Sequence, residues 1–187
     1  MNLVEITSDE FDLSIDLIYF TANNFTNKPV YKTDKCLLHK DAINPLKNAI
    51  KLAGALGYKL KIFDAFRPSD AQWVLWRHTP DPNFLADPRT GSPHSRGVAV
   101  DLTLINIKDE ELDMGTDFDE FTEKSHHGYT KIPRNSQFNR YILLGIMTAS
   151  GWDCYQNEWW HYQLFDSKNY PLLDSETSNV GIIDQKI

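Results

Sequence analysis

"SPHSRGVAVDLTL", residues 92–104, opens as a polar turn and closes as an alternating strand. Its second half sets Val98, Val100, Leu102 and Leu104 on one face and Ala99, Asp101 and Thr103 on the other. An acid among valines and leucines is costly to bury alone, so Asp101 marks either a solvent face or a place where something positive waits. His94 lies seven residues upstream. Joined by straight strand, the two side chains would stand roughly 23 Å apart and point to opposite faces. For both to reach one ion the chain must double back between them. Ser95, Arg96 and Gly97 are where it can, and Gly97 has the backbone freedom for the bend.

Working outward, "FDLSIDLIYF" (11–20) alternates Leu13, Ile15, Leu17 and Tyr19 and reads as a strand. "DAINPLKNAIKLAGALG" (41–57) puts Ala42, Leu46, Ala49, Ile50, Ala53 and Leu56 on one helical stripe, with Asp41 as cap and Gly57 as stop. "YKLKIFDAF" (58–66) is a strand. In "RPSDAQWVLWRHT" (67–79), Pro68 excludes helix for Arg67 and Ser69 caps a short helix. Four prolines and Gly91 make 80–93 a surface loop, and the acidic, poorly periodic 106–135 reads as long loops. "SQFNRYILLGIMTASG" (136–151) is a helix closed by Gly151. "EWWHYQL" (158–164) is a short strand, and a polar, flexible tail is expected from about Asp174. Strands and helices do not alternate regularly enough for a doubly wound sheet. The expected class is α+β, a largely antiparallel sheet flanked by helices, in a single domain over 1–187.

At 187 residues and 41% hydrophobic, the chain can bury a real core. A net charge of −7 argues against a nucleic-acid partner. No apolar stretch approaches membrane-spanning length, and "MNLVEITSDEF" has neither the basic start nor the apolar run of a signal peptide. Cys36 and Cys154 lack metal-knuckle spacing and read as two free buried thiols, so the expected compartment is the cytoplasm.

A hydrolytic zinc site has three protein ligands and an open position for water. His94 and Asp101 supply two, and the third is sought among the remaining histidines. His126 and His127 are neighbours whose side chains diverge, while His39 near a helix start and His78 at a helix end read as surface positions. His161 stands out, because Glu158 precedes it by three residues among aromatics that can make a dry wall. Such a glutamate can take a proton from a metal-acidified water and pass it to the leaving amine. Arg67, held at a strand end by Pro68, is the candidate for stabilising developing negative charge. Each element alone is weak. A lone histidine is more often a surface or core residue, and Glu158 or Arg67 could equally be structural.

Together they resemble a known family. "SPHSRGVAVDLTL" matches the Ser-x-His-x-x-Gly-x-Ala-x-Asp-Leu-Thr-Leu pattern, and "EWWH" the Glu-x-Trp-His pattern, of zinc D-alanyl-D-alanine dipeptidases. These include vancomycin-resistance dipeptidases and chromosomal relatives in Gram-negative bacteria. The likeness extends over "YFTANNFTNKPVY" (19–31), "CLLHKDAI" (36–43), "DAFRP" (64–68) and "MGTDFDEFTEKSHH" (114–127), which is almost the whole chain. It implies a fold like that of hedgehog domains and D,D-peptidases, with one zinc held by His94, Asp101 and His161. It implies Glu158 as general base and then acid, and Arg67 at the oxyanion. Tyr19, Ser92 and Asp119 would hold the free ammonium of D-alanyl-D-alanine, which is split to two D-alanines. Asn27 stands where the family usually has glycine, Phe66 where tyrosine is common, and Pro93 precedes the first zinc histidine.

Two other readings share the spacing. A D,D-carboxypeptidase or L,D-endopeptidase of the same superfamily, acting on cell-wall peptides, calls for an open cleft with Asp119 remote from the metal ligands. A non-catalytic zinc-binding module has no use for Glu158 and Arg67.

Overall fold

The computed structural model describes residues 2–183. In chain order its elements are β1 (Leu3–Ile6), β2 (Ser14–Ile15), β3 (Cys36–His39), α1 (Lys40–Ala55), β4 (Lys59–Asp64), α2 (Ser69–His78), β5 (Ala99–Ile105), α3 (Arg134–Ala149), β6 (Asp153–Cys154), β7 (His161–Gln163) and α4 (Ser175–Ser178). β5 is the centre of a five-stranded sheet ordered β2-β4-β5-β7-β6; the β2–β4 pair is parallel and the others antiparallel. β1 and β3 form a separate antiparallel pair. The class is therefore α+β with a largely antiparallel sheet, as the patterning implied.

β5 is buried along its whole length. Its apolar face, with Val100, Leu102 and Leu104, packs into a core shared with Leu46 and Ala49 of α1 and Leu143 and Met147 of α3. Its other face is also closed, and Asp101 and Thr103 are buried there. The alternation in the sequence thus separates an apolar core from a polar interior, with no solvent face on either side.

Several local expectations are corrected. The strand read over 11–20 shrinks to Ser14–Ile15. The chain leaves the sheet after Asp16 donates its N–H to Ile62 O and turns into a 3₁₀ segment, Ile18–Phe20. Leu13, Leu17 and Tyr19 are nevertheless buried as the alternation implied. The cap of α1 is His39, whose Nδ1 accepts from Asp41 N–H at 3.2 Å, so this histidine is buried and structural rather than superficial. Leu56 lies past the helix end and is exposed. Ser69 makes no side-chain cap; the chain before α2 is fixed by Pro68, and Ser69 N–H reaches Leu173 O. Cys154 is only half-buried.

The segment from 174, expected as a flexible tail, is folded against the body. Asp174 caps α4 by accepting from Thr177 N–H at 2.7 Å, Val180 is buried, and Ile182 bridges to Tyr31. Residues 184–187 lie outside the described residues. Among the described residues no helix is long and apolar enough to cross a membrane.

Gly97 is where the chain doubles back. Its φ of 70° is left-handed, and a Cβ there would meet Leu3 Cδ2 at 2.6 Å and His39 N at 3.2 Å. Gly97→Ala is expected to destabilise the metal-free protein by about 1–3 kcal/mol. A lower urea midpoint at unchanged m value is the signature, and an unchanged midpoint would show that the bend tolerates a side chain.

Candidate metal centre

Three strands build the floor of the site. Asp101 on β5 is paired across the ladder with His161 on β7 and, on its other side, with Asp64 on β4. A register irregularity between Ile62 and Asp64 makes the second pairing. His94 arrives from the 3₁₀ turn His94–Arg96, which Gly97 closes, so the imidazole folds back over the strand that follows it.

His94 Nε2 lies 3.2 Å from Asp101 Oδ2, His161 Nδ1 lies 3.0 Å from Asp101 Oδ1, and the two ring nitrogens are 3.1 Å apart. Donors about 2.0–2.1 Å from a tetrahedral ion stand about 3.3 Å from one another, so this spacing suits one ion. The hydrogen bonds behind the rings agree. His94 Nδ1 is 2.7 Å from Ala65 O, which can only accept, and that proton leaves Nε2 as a bare lone pair. His161 Nε2 sits 3.1 Å from Gln163 Oε1 and leaves Nδ1 bare in the same way. Two lone pairs and a carboxylate then converge on one point, which a cation satisfies. Burial by itself would raise the Asp101 pKa, but His94 and His161 hold it well below the usual carboxylate range.

Glu158 is buried beside this cradle, with Oε2 3.9 Å from His161 Nδ1. Burial first, then the charges of Asp101 and Asp119, push its pKa well above the ordinary glutamate value. Arg67 is buried opposite. Its Nε donates to Asp64 Oδ2 at 2.8 Å, its Nη1 to Gln72 Oε1 at 2.8 Å, and its Nη2 lies 3.4 Å from Asp101 Oδ2. Burial works against its charge, yet Asp64 and its other neighbours outweigh that, and the guanidinium stays protonated. Tyr31 OH completes the buttress by donating to Asp64 Oδ1 at 2.8 Å.

At the far end Tyr19 OH donates to Asp119 Oδ2 at 2.8 Å. Asp119 adopts a left-handed φ of 59°, and burial is the main reason its pKa is pushed up to about 8. Ser92 Oγ accepts from His94 N–H at 3.2 Å. Asn27, in the segment after Tyr19, has φ 56°, a conformation asparagine tolerates where glycine is usual. Phe66 loses a tyrosine's hydroxyl but packs with Leu37 and Val180.

Tyr19, Arg67, Ser92, His94, Asp101, Asp119, Glu158 and His161 all line one cavity of about 170 Å³. That is smaller than the roughly 300–1,000 Å³ of ordinary small-molecule pockets, so the occupant is small. Every residue singled out from the sequence is thus brought to one place, while His39, His78, His126 and His127 lie outside it. Asp64, Gln72 and Gln163 were missed. Gln163 carried a signal, since it follows His161 by two on the same strand and shares its face. Asp64 opens the "DAFRP" segment.

Two imidazoles and a carboxylate that could hold one metal ion, with a buried acid and a buried guanidinium lining the same small pocket, are the parts of a metal-dependent hydrolase. The profile of the D-ala-D-ala dipeptidase family matches residues 1–181, and the chain belongs to that family. The D-alanyl-D-alanine dipeptidase of Escherichia coli is 46% identical, over 89% of this chain and 86% of that protein. Proteins of the same name from Enterococcus faecalis and Streptomyces coelicolor are each 36% identical, over 83% and 80% of this chain and 87% and 84% of theirs.

Proposed function

We propose that this chain is a zinc-dependent dipeptidase that hydrolyses D-alanyl-D-alanine to two D-alanines. The observation that carries this reading is Asp119: a buried acid, paired with Tyr19, in the same small cavity as the metal cradle. A free ammonium compensates such an acid, whereas the amide of a longer peptide cannot. The small size of the cavity and the presence of Asp119 in its wall weigh against a carboxypeptidase or endopeptidase of longer peptides. A non-catalytic module leaves the buried Glu158 and Arg67 without a purpose.

The donor set suits zinc, which when bound supplies Lewis acidity that makes a water nucleophilic and polarises the scissile carbonyl. Glu158 takes the proton from the attacking water as its oxygen bonds to the carbonyl carbon. The C–N bond then breaks as Glu158 returns that proton to the leaving nitrogen, so one acid serves both halves of the reaction. Its raised pKa strengthens it as a base. Arg67 donates to the carbonyl oxygen as negative charge grows there. Asp119, with the hydroxyls of Tyr19 and Ser92, holds the substrate ammonium and so fixes the register of the peptide bond. The free thiols of Cys36 and Cys154 fit a reducing cytoplasm.

The purified protein is expected to release D-alanine from the dipeptide, to stop on chelation, and to recover with one equivalent of zinc per chain. Zinc-loaded protein that releases no D-alanine would end this reading.

A further inference from the structure

The loop over 80–93 forms one wall of the catalytic cavity through Pro82, Phe84, Leu85 and Ala86. It is tied down at both sides of the site. On the Glu158 side, Asn83 O accepts from Tyr155 OH at 3.0 Å and from Asn157 Nδ2 at 3.1 Å, just before the glutamate in the chain. On the Arg67 side, Gln72 Nε2 donates to Ala86 O at 2.8 Å while Gln72 Oε1 accepts from Arg67 Nη1 at 2.8 Å. Leu85, between these ties, is buried with Tyr19, Tyr31, Ala71, Val74 and Leu75.

Gln72 is therefore a single buried amide bridging the wall of the pocket and the guanidinium of Arg67. Its chemistry suits that place, because a primary amide presents a donor and an acceptor from one planar group. A carboxylate would keep the arginine but set a second acceptor against Ala86 O, and an apolar chain of the same size would lose both bonds. Without Gln72, Nη1 of Arg67 has no hydrogen bond to fix it. Asp64 and Asp101 then draw the guanidinium toward the floor and away from the substrate.

We infer that Gln72 is a positioning residue: it couples the 80–93 loop to Arg67, so that Arg67 is aimed at the scissile carbonyl when Ala86 is seated over the pocket. This rests on the dipeptidase reading. The coupling gives the loop a part in catalysis beyond enclosing the substrate, since its main chain sets the direction of a charged side chain through one intermediary.

The test is a double-mutant cycle with the zinc-loaded protein and D-alanyl-D-alanine. Gln72→Met is expected to lower kcat about 10- to 100-fold, as loss of a buried hydrogen bond to a charged group would, with zinc content intact and KM little changed. In an Arg67→Ala background, itself slower by about 10²- to 10³-fold, the same substitution should change kcat less than about twofold, because its route is gone. A merely structural glutamine would give penalties that multiply, and that result would overturn the inference. The second arm reads the loop itself, with Gln72→Glu as a variant that keeps an acceptor for Arg67. Trypsin cleavage after Arg89, which is exposed on the loop, should quicken in both Gln72 variants, and cleavage at the wild-type rate in Gln72→Glu would overturn the coupling even if Gln72→Met failed to fold. Failure of wild-type protein to turn over the dipeptide would instead strike the functional reading.

Discussion

Glu158→Ala is expected to lower kcat for D-alanyl-D-alanine by about 10²- to 10⁴-fold while zinc stays bound at one per chain. Position decides the outcome. His94, Asp101 and His161 present donors 3.0–3.2 Å from one another, whereas Glu158 Oε2 stands 3.9 Å from His161 Nδ1. The first three have the spacing of ligands, and the glutamate stands where it would reach a water held by the ion. Removing it should leave affinity for the metal nearly untouched. Stability should not suffer either, because its raised pKa reports a carboxylate whose ionised form the fold disfavours, by burial first and by Asp101 and Asp119 next. Glu158→Gln, which keeps the volume and loses the base, should be as slow. Metal analysis and steady-state kinetics on the same samples test this together. Loss of zinc from either variant would make Glu158 a ligand and remove the base from the mechanism.

Much of this site was legible because it hangs on short-range patterns. The period of two in β5 put Asp101 on the face opposite Val100 and Leu102, and Gly97 marked the bend that returns His94 to it. The pairing of Asp101 with His161 across β5 and β7 brings together residues sixty apart in the chain, and no local pattern encodes it. In the sequence it shows only in the company His161 keeps in "EWWH" and in the family resemblance. The features that escaped are those decided by tertiary contact. His39 caps α1 because its own strand pairs with β1 and delivers it there, so the better-placed Asp41 is left in the first turn. The polar segment after 174 folds onto the body through Val180 and Ile182, too few apolar residues to register in composition. Gln72 reads in sequence as an ordinary polar residue on a short helix. Its two bonds come from a loop and a strand end that meet it only in the folded chain.

Asp119→Asn is expected to cost about 10²- to 10³-fold in kcat/KM for D-alanyl-D-alanine, the usual penalty for removing one member of a buried, hydrogen-bonded charge pair. The same change should bring an N-acetylated dipeptide, which has no ammonium, close to parity with the free one. Two further signs follow from the pKa of Asp119, which burial pushes up to about 8 in the ligand-free chain. In the unfolded chain this group titrates near an ordinary aspartate's value of about 3.9. Between those two values the folded state holds a proton that the unfolded state has released, so stability drains away as pH rises through the window. Asp119→Asn should therefore raise the thermal midpoint of the ligand-free protein near pH 8 and leave it unchanged near pH 4. Binding has the opposite sense. The ammonium needs the ionised acid, so binding at pH 6 expels a proton from Asp119, and kcat/KM climbs with pH until the acid is ionised beforehand. A divalent ion in the cradle shifts that climb to lower pH without reversing it. Calorimetric titration in buffers of different ionisation enthalpy reads the expelled proton directly. Wild-type protein that binds the dipeptide with no proton release at pH 6, or an asparagine variant that still prefers the free ammonium a hundredfold, would remove Asp119 from substrate recognition.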